Sequence, residues 1–446
     1  MLSAPGKHEP KGYRIMKDST RLDEFRTKAR SYDRTDSLRA FRQRFYVPPG
    51  TIYLDGNSLG LLSRDAEAAL FRTVRSWKEL EIRGWLEADP PWFYMAETLG
   101  GQCAEIVGAA PEEVVMSGTT TVNIHALIHT FYNPQGRRTK IIADELDFPS
   151  DIYALKSILR LRGLDPSEHL ILVPSRDGRT LDEEDIAARF DDSVALVFLP
   201  SVLYRNGQLL DMEYLTRRAH ERAIPIGFDC SHSVGTIPHE FTRWKVDFAL
   251  WCSYKYLNGG PGATAFLYVN RVHFNREPAL AGWFGSVKEK QFDMSLEFKP
   301  ARCAGGWQIS SPSILSAAPL LGSLAILREA GMAAVREKSL RLTGFFLDMA
   351  DELLSSEPYG FSLATPRRSE RRGGHVALVH PEGMRISAAL RDRGVILDFR
   401  PPDIIRVAPA ALYNTFTELW ELVRHLREIV ERREYDRFPG QRKAIS

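Results

Sequence analysis

Between about residues 113 and 270 the chain alternates short apolar runs with longer stretches in which apolar residues recur every three or four positions. Short continuous runs fit strands buried on both faces, and the 3.6-residue recurrence fits helices that cover them. The alternation therefore predicts an α/β domain with a mostly parallel sheet. Strands are expected at 114–116, 140–143, 169–173 and 194–199, at runs leading to Asp229 and Lys255, and at 263–268. Helices are expected over 121–131, 150–161 and 211–222. After Pro312 the texture changes to long helical patterns over 314–328 and 333–354, then short strands at 376–379, 395–399 and 404–407. The expected organisation is a large domain over 50–312 and a smaller α+β domain from 1–49 and 313–446. The first fifty residues are helical around 22–45, have no strand partners and could pack on either domain. No internal repeat is visible.

Composition narrows the chemistry. The chain has 446 residues, 44% of them hydrophobic, enough for two cores. With 59 basic against 57 acidic residues the net charge is +2, which gives no reason to expect nucleic acid or an anionic membrane as partner. A small-molecule substrate is expected. No window approaches the roughly 18 apolar residues of a membrane span, and residues 1–10 lack an apolar core, so they read as a frayed leader to a soluble enzyme. Cys103, Cys230, Cys252 and Cys303 form no C-x-x-C pair. Neither a metal site nor a disulfide framework is expected, and a reducing cytoplasm is the expected setting.

The strand ends carry the candidate chemistry. Ser253-Tyr254-Lys255 follows the apolar run Phe248–Cys252, and Phe228-Asp229 ends another run with His232 three residues on. A lysine at an apolar strand end has its ammonium disfavoured, as a Schiff-base lysine requires. Taken alone, Lys255 would more often reach out to water and His232 would more often be a satisfied core group. Together they match pyridoxal phosphate, whose aldehyde takes the lysine while Asp229 keeps the ring nitrogen protonated. Ser117-Gly-Thr-Thr120-Thr121 joins a strand to a helix and can bind phosphate through first-turn amides, or can simply cap the helix. Phe148-Pro149-Ser150-Asp151 can lay an aromatic face on a planar ring or, equally, start a helix. Tyr204-Arg-Asn-Gly207 reads as a turn. Gly282-Trp283-Phe284-Gly285 and Gly306-Trp307 can build a pocket wall or a subunit contact. Arg406 can clamp a carboxylate in a bidentate fork or form an ordinary ion pair.

Tyr53-Leu-Asp-Gly-Asn-Ser-Leu-Gly60, Thr121-Val-Asn123, Phe148–Asp151, Phe228–His232, Trp251–Asn258, Gly282–Gly285, Gln308–Pro312 and Arg406–Tyr413 occur in this order. The ordered set resembles the kynureninase family over most of the chain. The resemblance implies the aminotransferase-like fold type I, pyridoxal 5'-phosphate, and a homodimer with shared sites. It also implies hydrolytic Cβ–Cγ cleavage of L-kynurenine to anthranilate and L-alanine in tryptophan catabolism, a route that also feeds NAD biosynthesis. By matching position, Thr120, Thr121 and Tyr254 would hold the phosphate and Phe148 would stack on the ring. Pro149, Ser150 and Asp151 would join the cofactor shell, Asp229 and His232 would bind the ring's polar groups, and Lys255 would carry the aldehyde. Trp283 and Ser311 would reach the phosphate from a second subunit.

Arg406, Trp85 and Ser311 are the expected substrate contacts, with Lys255, Tyr254 and Asp229 catalytic. Trp85 stands where the animal-type pattern has histidine, and Ser311 where it has asparagine. Both changes favour kynurenine over its 3-hydroxy derivative. Pro200 replaces a small polar residue used by some relatives and is left out of the expected site. In the implied cycle Lys255 moves the α-proton, Tyr254 manages the proton at the β-carbon, and water adds to the γ-carbonyl. A cysteine desulfurase or small aminotransferase of the same fold is the rival, although only Cys303 is even loosely placed as a sulfur nucleophile.

Overall fold

The structure, a computed structural model, describes residues 11–440, with side chains from residue 20 onward. The leader expected over 1–10 lies outside the described residues. The centre is a seven-stranded sheet in the order Val114–Met116, Phe266–Val269, Phe248–Trp251, Ile226–Asp229, Val194–Pro200, Lys140–Asp144, Leu170–Val173. Phe266–Val269 runs antiparallel to both its neighbours, and the remaining pairs are parallel. All seven residues of Val194–Pro200 are buried, as a central strand covered on both faces requires.

The helices over the sheet arise where the apolar recurrence placed them, with small shifts at the ends. The helix expected around 22–45 instead ends at Arg34 and is followed by a separate 3-10 turn over Arg39–Arg44. Thr120–Phe131 and Pro149–Leu161 cover the sheet with Ile124, Leu127, Leu155 and Ile158. Each such side chain contributes roughly 1.5–3 kcal/mol through loss of water contact. Pro149 occupies the first helical position, where its missing N–H leaves no bond unmade.

A second core joins Phe346, Leu353, Leu378, Ile405, Phe416, Leu419 and Leu426 around a four-stranded antiparallel sheet. The helix Phe416–Glu431 opens with a reciprocal cap: the Thr415 hydroxyl accepts from the Glu418 N–H, and the Glu418 carboxylate accepts from the Thr415 N–H. The N-terminal segment divides between the two cores. Phe25 and Ala29 join the second, whereas Leu38 and Phe45 join the first.

Two expectations change. The helix Ile314–Ala330, grouped by texture with the smaller domain, buries Ala317, Leu320 and Leu324 in the first core. The single strand expected over 395–399 is split. Val395–Ile396 pairs with Ile52–Tyr53, and Asp398–Arg400 pairs with Ile404–Val407. Leu397 is buried at the junction. One apolar run here serves two sheets, and its alternation carries no mark of the change of partner.

Candidate active site

The C-terminal ends of Val194–Pro200, Ile226–Asp229 and Phe248–Trp251 lie side by side, the usual ligand edge of a parallel sheet. Asp229 is tied there by the Ser231 N–H donating to its Oδ1 at 2.7 Å, and by the Ser201 N–H donating to its carbonyl at 2.8 Å. The Cys252 N–H donates to the Ser231 hydroxyl at 3.1 Å, which joins the Asp229 turn to the Lys255 loop. That loop is braced from outside by Gly60, whose N–H donates to the Tyr254 carbonyl at 2.7 Å. A Cβ on Gly60 would stand 2.4 Å from the Lys255 carbonyl, so only glycine permits this approach.

The Lys255 Nζ lies 2.8 Å from His232 Nε2 and 6.0 Å from the centre of the Tyr254 ring. The lysine is partly buried, and its near neighbours are polar. His232 is buried, and burial together with the Lys255 and Arg406 charges holds its imidazole well below its usual pKa. Beyond it, Asp151 is 2% exposed with Oδ2 unpartnered. Burial, then the neighbouring Asp229 and Asp147 charges, push the Asp151 carboxyl well up. Asp147 is raised in the same way, by burial and then Asp144. Asp147, Asp151 and Asp229 thus converge where a protonated ring nitrogen would relieve them, with Asp144 behind Asp147.

The same crowding has a consequence for stability. Burial pushes Asp144 up to about 7 from 3.8. The folded carboxyl keeps its proton where the unfolded one has lost it, so its contribution declines as pH rises from about 4 to about 7. Asp144→Asn retains an acceptor for the Leu146 N–H, now 2.8 Å from Oδ1. It is expected to raise the melting temperature more at about pH 8 than at about pH 5. Equal shifts at both pH values would refute this.

A phosphate has a place at the opposite end. Thr120–Phe131 begins after Thr119, whose side chain makes no capping bond, so its first amides stay available. The Thr121 hydroxyl lies 2.9 Å from that of Ser150, which brings the N-terminal turns of two helices together. Phe148 is 43% exposed beside this point and meets Tyr204 edge-on at 5.2 Å. Phe148, Asp151, Tyr204, Asp229 and His232 line one cleft with Pro200. Pro200, left out of the expected site, is paired with Asp229 and lines the same cleft. An amine, a carboxylate pair and two helix N-termini suit an aldehyde, a basic ring nitrogen and a phosphate on one molecule.

Other expected residues are placed differently. Arg406 is 1% exposed, ion-paired with Asp398 at 2.5 Å, and donates to the Tyr204 carbonyl and the Ser58 hydroxyl. The open fork expected of it is corrected, because Asp398 already engages one edge. Trp283 is 48% exposed, with its Nε1 donating to the Gln291 carbonyl, and Ser311 is exposed. Among the described residues neither touches the Lys255 group. Trp85 leans on Trp92 and Phe284 and lines a separate, largely apolar cavity of about 560 Å³ with Trp77, Ile82 and Leu315. Tyr204, read from the sequence only as part of a turn, and His375 were not among the expected site residues. Tyr204 could have been found from its place after a strand ending at the active edge, whereas His375 carries no such signal.

Comparison with known proteins agrees with this geometry. Residues 335–426 match the model of the kynureninase C-terminal domain. A kynureninase of Geobacillus thermodenitrificans is 54% identical over 429 residues, covering 96% of this chain and all of that protein. One of Bacillus anthracis is 55% identical over 414 residues, covering 93% of this chain and 96% of that protein. Among solved structures, the apo cysteine desulfurase of Thermococcus onnurineus superposes with a TM-score of 0.75 at 19% identity, covering 88% of this chain and 98% of that one. A C-DES mutant with glycine covalently linked to its PLP cofactor gives 0.74 at 18%, covering 86% and 98%. These likenesses establish the expected fold type I architecture, and identity over nearly the whole length shows that the chain belongs to the kynureninase family.

Proposed function

We propose that this chain is a pyridoxal-phosphate-dependent hydrolase that splits the Cβ–Cγ bond of L-kynurenine into anthranilate and L-alanine. The observation that carries this reading is the Lys255–His232 contact beside Asp229 and Asp151, in a chain whose near-full-length relatives are named kynureninases. When bound, the cofactor supplies an aldehyde for the lysine and a ring that stabilises negative charge on substrate carbons. Asp229 would keep the ring nitrogen protonated, with Asp151 supporting it. Phe148 would cover the ring face beside Pro149. Thr120, Thr121, Ser150 and Tyr254 would take the phosphate with the first-turn amides.

Lys255, freed as an amine, removes the α-proton and is held for this by His232. The Tyr254 hydroxyl, raised chiefly by burial, keeps its proton at neutral pH and delivers it to the β-carbon. Arg406 meets the substrate carboxylate through Nε, its one guanidinium nitrogen without a hydrogen-bond partner among the described residues. Incubation of the purified protein with pyridoxal phosphate and kynurenine tests the whole reading through anthranilate fluorescence. Absence of product while the cofactor is bound through Lys255 defeats it. The desulfurase alternative is not favoured: Cys303 is partly buried, and burial raises its thiol away from the reactive thiolate.

The apolar cavity beside Trp85, lined also by Trp77, Ile82 and Leu315, receives the aryl ring. Kynurenine is expected to exceed 3-hydroxykynurenine in kcat/KM by roughly ten- to a hundredfold, and Trp85→His is expected to narrow that ratio. A native preference for the hydroxylated substrate would contradict this. The protein acts as a homodimer, supported by the exposure of Trp77, Ile82, Leu86 and Trp283 on one chain. Trp283 and Ser311 of one copy complete the site of the other. Sedimentation is expected to return twice the monomer mass, and an active monomer would overturn the shared site. Four unpaired cysteines fit a reducing cytoplasm. The substrate assigns the chain to the kynurenine pathway of tryptophan catabolism.

A further inference from the structure

We infer that His375 is a positioning residue that sets the tautomer of His232, so that the lone pair of His232 Nε2 faces the Lys255 amine. The inference rests on the proton-transfer role proposed above for Lys255. After removing a proton, the lysine amine carries three donors and no acceptor. At 2.8 Å from Nζ, His232 Nε2 must then be the nitrogen with the lone pair. His232 is held neutral by burial and by the Lys255 and Arg406 charges, so its single proton belongs on Nδ1. Nδ1 is buried with no hydrogen-bond partner among the described residues, and an N–H in that position calls for an acceptor.

His375 is placed to provide one. It immediately precedes the strand Val376–Val379 of the smaller sheet and is fully buried, and its ring centre lies 6.1 Å from that of His232 with the planes at 58°. At this separation the ring nitrogens are too far apart for a direct bond, and the proposed link runs through one bridging water. Neither His375 nitrogen has a close partner. The ring faces the Tyr204 carbonyl outside good hydrogen-bond geometry, and burial with the Arg406 and Lys255 charges keeps it neutral. Its Nε2 edge rests on Gly207, where φ is +77° and a Cβ would stand 3.3 Å away. A neutral imidazole that directs its N–H at the Tyr204 carbonyl keeps a lone pair on its other nitrogen. Donors and acceptors then run in one direction, from Lys255 through His232 and His375 to Tyr204. Among groups of similar reach, Arg406 donates only and cannot serve His232 Nδ1–H. The Tyr204 hydroxyl, on a ring 6.5 Å from that of His232, is the rival acceptor, and Tyr204→Phe is expected to leave the tautomer unchanged.

Long-range proton–nitrogen spectra of the full-length, cofactor-free protein with labelled histidine read the tautomer directly, with His232 assigned from His232→Gln. The expected wild-type form carries its proton on Nδ1, and a proton on Nε2 overturns the inference outright. His375→Leu is expected to lose or mix that tautomer. In the holoenzyme it should lower kcat on kynurenine about tenfold with KM little changed. His375→Gln keeps an acceptor and is expected to restore both. If Leu leaves the tautomer unchanged, or Gln fails to restore it, His375 is a packing residue only. Should Leu not fold, the wild-type and Gln spectra still decide. The spectra do not involve kynurenine, so they separate failure of this inference from failure of the proposed substrate.

Discussion

Lys255→Ala is expected to leave a folded protein with kcat on kynurenine lower by about four orders of magnitude or more. The change removes the amine that takes the cofactor aldehyde and the base that moves the α-proton, two roles no neighbour can assume. His232 is held neutral at 2.8 Å, but an imidazole does not replace a primary amine in carbonyl capture. The fold survives because main-chain groups anchor this loop. The Gly60 N–H donates to the Tyr254 carbonyl and the Asn258 N–H to the Lys255 carbonyl at 2.9 Å, both untouched by the substitution. Lys255→Arg is expected to be equally inactive, since a guanidinium keeps its charge but is not a useful nucleophile at neutral pH. Anthranilate fluorescence and the visible absorption of lysine-bound cofactor report the two losses separately. Activity within tenfold of wild type in either variant would remove Lys255 from the mechanism.

Asp229→Asn is expected to lower kcat by about two to four orders of magnitude and to weaken cofactor binding. An amide cannot hold a proton on the ring nitrogen, so the ring loses its capacity to accept charge from the substrate. The same change should stabilise the cofactor-free protein. Asp229 is among the charges that raise the buried Asp151 and Asp147, and neutralising it removes like-charge repulsion inside a crowded site. Lower activity with a higher cofactor-free melting temperature is therefore the combination to look for. A fall in both, with normal cofactor affinity, would show that Asp229 serves packing instead.

Much of the active edge was legible because strand ends are legible. The runs before Asp229 and Lys255 are apolar enough to read as buried strands, and successive parallel strands deliver their ends to one edge. The first-turn residues Thr120, Thr121 and Ser150 were legible for the same reason, each lying where a helix opens after a strand. The pairing of Arg406 with Asp398 was not, because it depends on the register of two short antiparallel strands, Asp398–Arg400 and Ile404–Val407. Asp144 and Asp147 carry no mark in the sequence, and only their burial makes them part of the charge cluster. Trp283 and Ser311 lie away from the Lys255 group in a single chain, so their expected role depends on a second copy.

By itself the sequence determined the mostly parallel sheet, the edge at which chemistry occurs, and the amine, carboxylate and imidazole that meet there. Those follow from local periodicity, which is encoded within a few residues of each element. Tertiary structure decided what surrounds them: the orphaned nitrogens of His232 and His375, the engaged edge of Arg406, the shared burden of Asp147 and Asp151, and the split at Leu397. Each of these depends on contacts between segments far apart in the chain, and on the removal of water that gives an unpaired polar group its cost. Neither is written in any local pattern.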